Sequence, residues 1–186
     1  MIKKSGIILL VVLMSMFLLC SCNDDKKVSS YDGMSITDLM TYTVPEGYVE
    51  WEKTMTSPDG AVLGVDFAYE GAKAPCMDLE ISSYDGQGLS SYMNSENVTL
   101  EKLIKDAKAD NTADIKEISI DGAKGYLVSS SMMMLDEEEY MAEVLDAHFE
   151  KDGYVFSLMW MDYESEELSD EQREAFMELL NSIKFK

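Results

Sequence analysis

The chain has 186 residues, with 15 Lys and Arg against 36 Asp and Glu and a formal net charge of −21. A field of that sign repels phosphate backbones and argues against nucleic acid as a partner. A hydrophobic content of 46% is that of a globular protein, too high for a disordered acidic tail. One histidine and three cysteines leave little material for metal or nucleophile chemistry.

Residues 1–21 read as an export signal. Lys3 and Lys4 form a positive start, and Ile7 to Leu19 form an apolar run broken only by Ser15. Those residues as a helix span about 20 Å, short of the ~30 Å hydrocarbon core, so a signal peptide fits better than a membrane-spanning helix. The run ends in Leu19-Cys20-Ser21-Cys22. This resembles the lipobox of bacterial lipoproteins, with Leu three places before the cut, a small residue just before it, and then Cys. The resemblance implies that Cys22 is diacylated and becomes the first residue of the mature chain. Cys20 stands where that family usually has Ala or Ser. Two acyl chains hold a domain on a bilayer without a basic patch, which an acidic body needs because anionic lipid repels it. With Cys20 removed and Cys22 acylated, Cys76 has no disulfide partner, and its apolar setting, Ala74-Pro75-Cys76-Met77, predicts burial.

Residues 22–34 are polar and turn-rich, as expected of a tether. From residue 35 to 186 no linker, repeat or composition break appears, and a single domain is expected. Alternation predicts strands through Tyr48–Met55, then Leu63, Val65, Phe67 and Tyr69, and then Met77, Leu79 and Ile81. Leu100, Leu103, Ile104 and Ala107 change the period to that of a helix, with Thr99 as its N-cap. Ile118 and Ile120 precede the turn Asp121-Gly122. A long strand through Tyr126, Val128, Ser130 and Met132 follows, ending before Asp136. Met141 to Glu150 returns, and Asp152-Gly153 reverses the chain into Tyr154, Phe156, Leu158 and Trp160. Phe176, Leu179, Leu180 and Ile183 form a last amphipathic helix behind a Ser169…Gln172 capping box, with a short strand after it. The fold expected is α+β, an antiparallel sheet with helices packed on it.

Several phrases resemble the Mog–PsbP-like superfamily. They are Tyr42-Thr43-Val44-Pro45-Glu46-Gly47-Tyr48, Ile120-Asp121-Gly122-Ala123-Lys124-Gly125-Tyr126, Gly153 to Leu158, and Phe176 to Phe185. The opening phrase has Tyr48 where that family commonly has Trp. The resemblance spans nearly the whole mature chain and implies an α/β/α sandwich with an accessory or binding role. The family's functions differ among members, so no one activity transfers with the fold.

The residues able to carry chemistry are few. His148 alternates with Asp146 and Glu150 and is expected to face water, where a hydrogen bond to Asp146 would raise its pKa. Twelve methionines remain outside the signal. Met132 with Met134 and Met159 with Met161 are weak candidates for a soft-metal site such as Cu(I), because thioethers select soft ions. Core filling, or an apolar groove that re-packs around a peptide or lipid, is the other use of methionine. Acidic runs at 136–139 and 162–171 are candidates for weak divalent-cation binding, although no D-x-[DN]-x-[DN]-G loop occurs. The expected function is that of a non-enzymatic lipoprotein with no cofactor, held on the outer side of the cell membrane and binding an envelope protein or small ligand. A metal-binding lipoprotein is the alternative. An enzyme would show two converging carboxylates, one with a raised pKa, in a pocket.

Overall fold

A computed structural model describes residues 33–51, 55–57, 60–89, 98–109, 113–135, 139–161 and 167–186. The signal segment, Cys22, most of the expected tether, and residues 136–138 and 162–166 lie outside the described residues. The elements in chain order are α1 (Ile36–Leu39), β1 (Met40–Thr41), β2 (Tyr48–Glu50), β3 (Met55–Thr56), β4 (Val62–Tyr69), β5 (Met77–Tyr84) and β6 (Gln87–Gly88). There follow α2 (Leu100–Ala109), β7 (Asp114–Ile120), β8 (Ala123–Leu135), β9 (Glu139–Lys151), β10 (Tyr154–Met161), α3 (Asp170–Ser182) and β11 (Lys184–Phe185). No helix among the described residues is long and apolar enough to cross a membrane.

Three Asp-Gly turns set the sheet. Asp85-Gly86, Asp121-Gly122 and Asp152-Gly153 all have positive φ at both positions. Their handedness is that of type I′ turns and matches the twist of the strands they join. The main sheet runs β2-β4-β5-β10-β9-β8-β7, with β3 also on β4 and β6 also on β5. Its pairings are antiparallel throughout. The strand expected across Tyr48–Met55 is two short ones, β2 and β3, both laid on β4. β1 and β11 form a separate two-stranded ribbon, with Met40 opposite Phe185 and Thr41 opposite Lys184.

Helices cover both faces. On one, α1, α3 and the β1–β11 ribbon close the main core. Phe176, Leu179, Leu180 and Ile183 pack there with Phe67, Leu79, Ile81, Phe149, Phe156 and Trp160. Burying one such side chain stabilises the fold by about 1.5–3 kcal/mol. The expected capping box forms at α3, where Gln172 N–H donates to Ser169 Oγ at 3.2 Å and Ser169 N–H to Gln172 Oε1 at 2.7 Å. On the other face, α2 seats Leu100 and Ile104 against Val128 and Val155. Thr99 caps it by accepting Lys102 N–H at 3.2 Å. Gly125 lies where backbone and core meet, since a Cβ there would stand 2.9 Å from both His148 O and Phe149 Cβ. Cys76 packs against the main core but is only half-buried, short of the burial its apolar setting predicts.

Candidate functional site

The face under α2 carries a set of polar groups that the sequence alone does not mark as a unit. Strand register assembles it. Asp66 on β4 stands opposite Asp78 on β5, Asp78 opposite Met159 on β10, and Met159 opposite Asp146 on β9. One row over, Glu80 stands opposite Ser157 and Ser157 opposite His148. A register shift between Val155 and Phe156 leaves Ser82 as an extra residue on β5, and its hydroxyl reaches Ser157. Four carboxylates, one imidazole and two hydroxyls thus occupy neighbouring positions on four strands.

His148 does not face water as expected. It is 7% exposed, and Asp66 on the far side of the set is 7% exposed as well. The alternation misleads because its members are not covered alike: Glu150 is exposed and Asp146 partly buried, while His148 between them is closed off. Its Nε2 lies 3.1 Å from Asp146 Oδ2 and its Nδ1 2.8 Å from Ser157 Oγ. Ser157 Oγ is 2.8 Å from Ser82 Oγ, and Ser82 donates to Glu80 Oε1 at 3.3 Å.

Ser82 O–H on Glu80 ends the chain, while the Ser157–Ser82 and His148 Nδ1–Ser157 contacts are each made with either partner as donor, according to the tautomer of the ring. Burial works against a charge on the ring, but Asp146 in direct contact and Glu80 at the end of the chain outweigh it and hold the His148 pKa above its usual value.

The Asp66–Asp78 pair solves the like-charge problem differently. Burial pushes the Asp78 carboxyl up to about 8, reinforced by the charges of Glu80 and Asp66, a hydrogen bond with Asp66 and the charge of Asp146. Two buried carboxyls in direct cross-strand register share a proton rather than both ionise. Burial likewise raises Glu80 above the ordinary carboxylate range, and the Ser82 hydroxyl opposes that rise. Asp78 Oδ1 and Asp146 Oδ1 are buried without a hydrogen-bond partner among the described residues.

The raised-pKa pair of carboxylates expected of an enzyme is therefore present in the set. An open cleft of about 480 Å³ lies on the α3 side, lined by Pro45, Tyr48, Tyr69 and the first turns of α3, among others. Among the described residues no group of three or more His, Cys, Asp or Glu is placed to hold a metal ion.

The methionine candidates are not brought together. Met132 stands opposite Ala142 and Met159 opposite Asp146, on opposite sides of β9 and about 13 Å apart along it. Met134 is opposite Tyr140 and Met161 opposite Val144, and their side chains lie outside the described residues. Of the acidic runs, 136–138 and 162–166 also lie outside them. Asp170 and Glu171 sit in the first turn of α3, where they complement the positive end of the helix dipole.

No protein-family model and no characterised protein matches the chain. Two solved structures are similar to it in backbone trace. One is a protein of Bacteroides thetaiotaomicron VPI-5482, at 9% identity and a TM-score of 0.47, over 80% of this chain and 45% of that one. The other is the cyanobacterial PsbP protein, CyanoP, of Synechocystis sp. PCC 6803, at 14% identity and a TM-score of 0.48, over 91% of this chain and 99% of that one. The chain thus spans about half the length of the Bacteroides protein.

Proposed function

We propose that this chain is a lipid-anchored, extracytoplasmic binding or accessory module of the cell envelope, with a domain of the Mog–PsbP-like kind and no catalysis of its own. The observation that carries the reading is Leu19-Cys20-Ser21-Cys22, placed directly behind an apolar run too short to span a bilayer. Eleven peptide steps join Cys22 to Gly33, so the tether's full reach is at most about 40 Å and the domain works close to the bilayer.

The polar set supports the non-enzymatic half of the reading. Asp146, His148 and Ser157 have the residue types of a hydrolytic triad, with Nδ1 of the ring on Ser157 and Nε2 on Asp146, but the hydroxyl that a substrate would have to reach is buried. Ser157 is 5% exposed, and β10 is flanked on both sides by β5 and β9. Ser157 stands in register between Glu80 and His148, so its own N–H belongs to a ladder rather than to an oxyanion site.

Labelled palmitate supplied to cells expressing the chain tests the anchor. Label should enter the wild type and Cys20→Ser and be absent from Cys22→Ser. No label in the wild type, or equal label in Cys22→Ser, would overturn the reading.

A further inference from the structure

We infer that the outer half of the β8–β9 hairpin is a docking arm for a basic amphipathic segment of another protein. The inference rests on the binding-module reading and names the partner it leaves open.

β8 and β9 outgrow their neighbours. β7 accompanies β8 as far as Ser129, and β10 accompanies β9 only from Val144. Beyond those points the two strands pair only with each other among the described residues. Five pairs, from Ser131 opposite Glu143 to Leu135 opposite Glu139, form a ribbon about 17 Å long. It presents apolar side chains where a sheet end is usually polar. Met133 and Met141 stand directly opposite each other and are 60% and 48% exposed, and Met132 on the reverse side is 47% exposed. An unbranched thioether adapts to varied apolar partners, and an exposed cross-strand methionine pair is suited to that use.

Charge selects the partner. From residue 125 to 143 the sequence holds five acids, four of them consecutive at 136–139, and no Lys or Arg. Glu143 flanks Met141 on the same face, and Glu167 before α3 and Asp170 at its start add two more acids, whose fields reach Arg173. Arg173 shows how a cation settles there, since its guanidinium pairs with Glu143. Glu143 also accepts Leu168 N–H and Ser129 O–H, both at 3.2 Å. A segment with apolar residues for Met133 and Met141 and Lys or Arg for the surrounding acids fits this surface. A second copy of the chain does not, because the two like-charged arms would repel.

The test uses the full-length chain in zwitterionic nanodiscs, with empty nanodiscs as the blank. The probe is a fluorescein-labelled 16-residue amphipathic Leu/Lys peptide, read by anisotropy. The expected result is saturable binding that is absent from empty discs and from a Leu/Gln peptide of the same pattern, and that weakens several-fold between 50 and 500 mM salt, all roughly as for other charge-steered contacts. M133S/M141S should weaken it about tenfold or more, a loss of about 1.4 kcal/mol, with the melting curve unchanged, while M132S changes it less than about twofold by the same conversion. Equal binding by M133S/M141S, equal binding of the Leu/Gln peptide, or signal from empty discs alone would overturn the inference. A chain that takes up palmitate but fails to bind the peptide refutes the arm and leaves the anchor. One that binds the peptide without taking up palmitate does the reverse.

Discussion

Replacing Asp78 with Asn takes the shared proton out of the Asp66–Asp78 pair while keeping the side chain's shape. Its amide donates to Asp66 at every pH. In the wild type the folded carboxyl holds its proton up to about pH 8, against an ordinary value of 3.8. The folded chain therefore binds more protons than the unfolded one throughout that window, so stability falls as pH rises through it and levels off above. At about 1.4 kcal/mol per pH unit, the step from pH 5 to 8 sets a ceiling of about 4 kcal/mol. Relaxation around a charged pair reduces this, and about 2 kcal/mol is expected, or about 4–8 °C in Tm for a chain of this size. His148 slopes in the same direction: its folded pKa is raised, so its contribution is full below the ordinary value and is lost as pH rises through the folded one. Thermal unfolding followed by circular dichroism at pH 5.5 and pH 8 measures the effect. Asp78→Asn should match the wild type within about 1 kcal/mol near pH 5 and exceed it by the amount above at pH 8. Two Tm–pH curves that run parallel would show that no proton is held between these carboxyls.

Two further substitutions test the scaffold. Gly125→Ala places a methyl 2.9 Å from His148 O and Phe149 Cβ, so β8 and β9 must part, and urea unfolding should show a loss of about 1–3 kcal/mol. A change below about 0.5 kcal/mol would mean that the sheet flexes more readily there than close packing allows. Ser169→Ala removes the hydroxyl that accepts Gln172 N–H and should lower stability by about 1 kcal/mol in the same assay, whereas Ser169→Asn, which still caps, should restore most of it.

Much of the fold is legible in local pattern. Leu63, Val65 and Phe67, and then Met77, Leu79 and Ile81, alternate because one face of β4 and β5 meets α3. The period of Phe176, Leu179, Leu180 and Ile183 marks the helix that covers them. The Asp-Gly pairs announce their turns because these residues tolerate positive φ. The polar site is not legible in this way. Asp66, Asp78 and Glu80 occupy the other positions of the same two strands, where alternation reads any acid as facing water. Only the pairing of β5 with β10, nearly eighty residues later in the chain, brings Glu80 beside Ser157 and His148. Alternation reports which residues share a face and is silent on what covers that face. The signal that was present is the density of acids within two otherwise apolar strands, since Gly64 to Ala68 are buried on both sides of the sheet.

The β1–β11 ribbon has a mechanical consequence. Met40 pairs with Phe185, and Lys186 N–H donates to Leu39 O at 3.0 Å, so the two strands meet with their outer ends together. Tension applied through residues 33 and 186 therefore opens this two-rung clasp one rung at a time, along with the ties of Ser35 to Val62 and of Phe185 to Asp121. Pulled from its ends, the domain would shed α1 and the end of α3 first. The acid-lined face beneath α2 would stay closed until the larger sheet itself gave way.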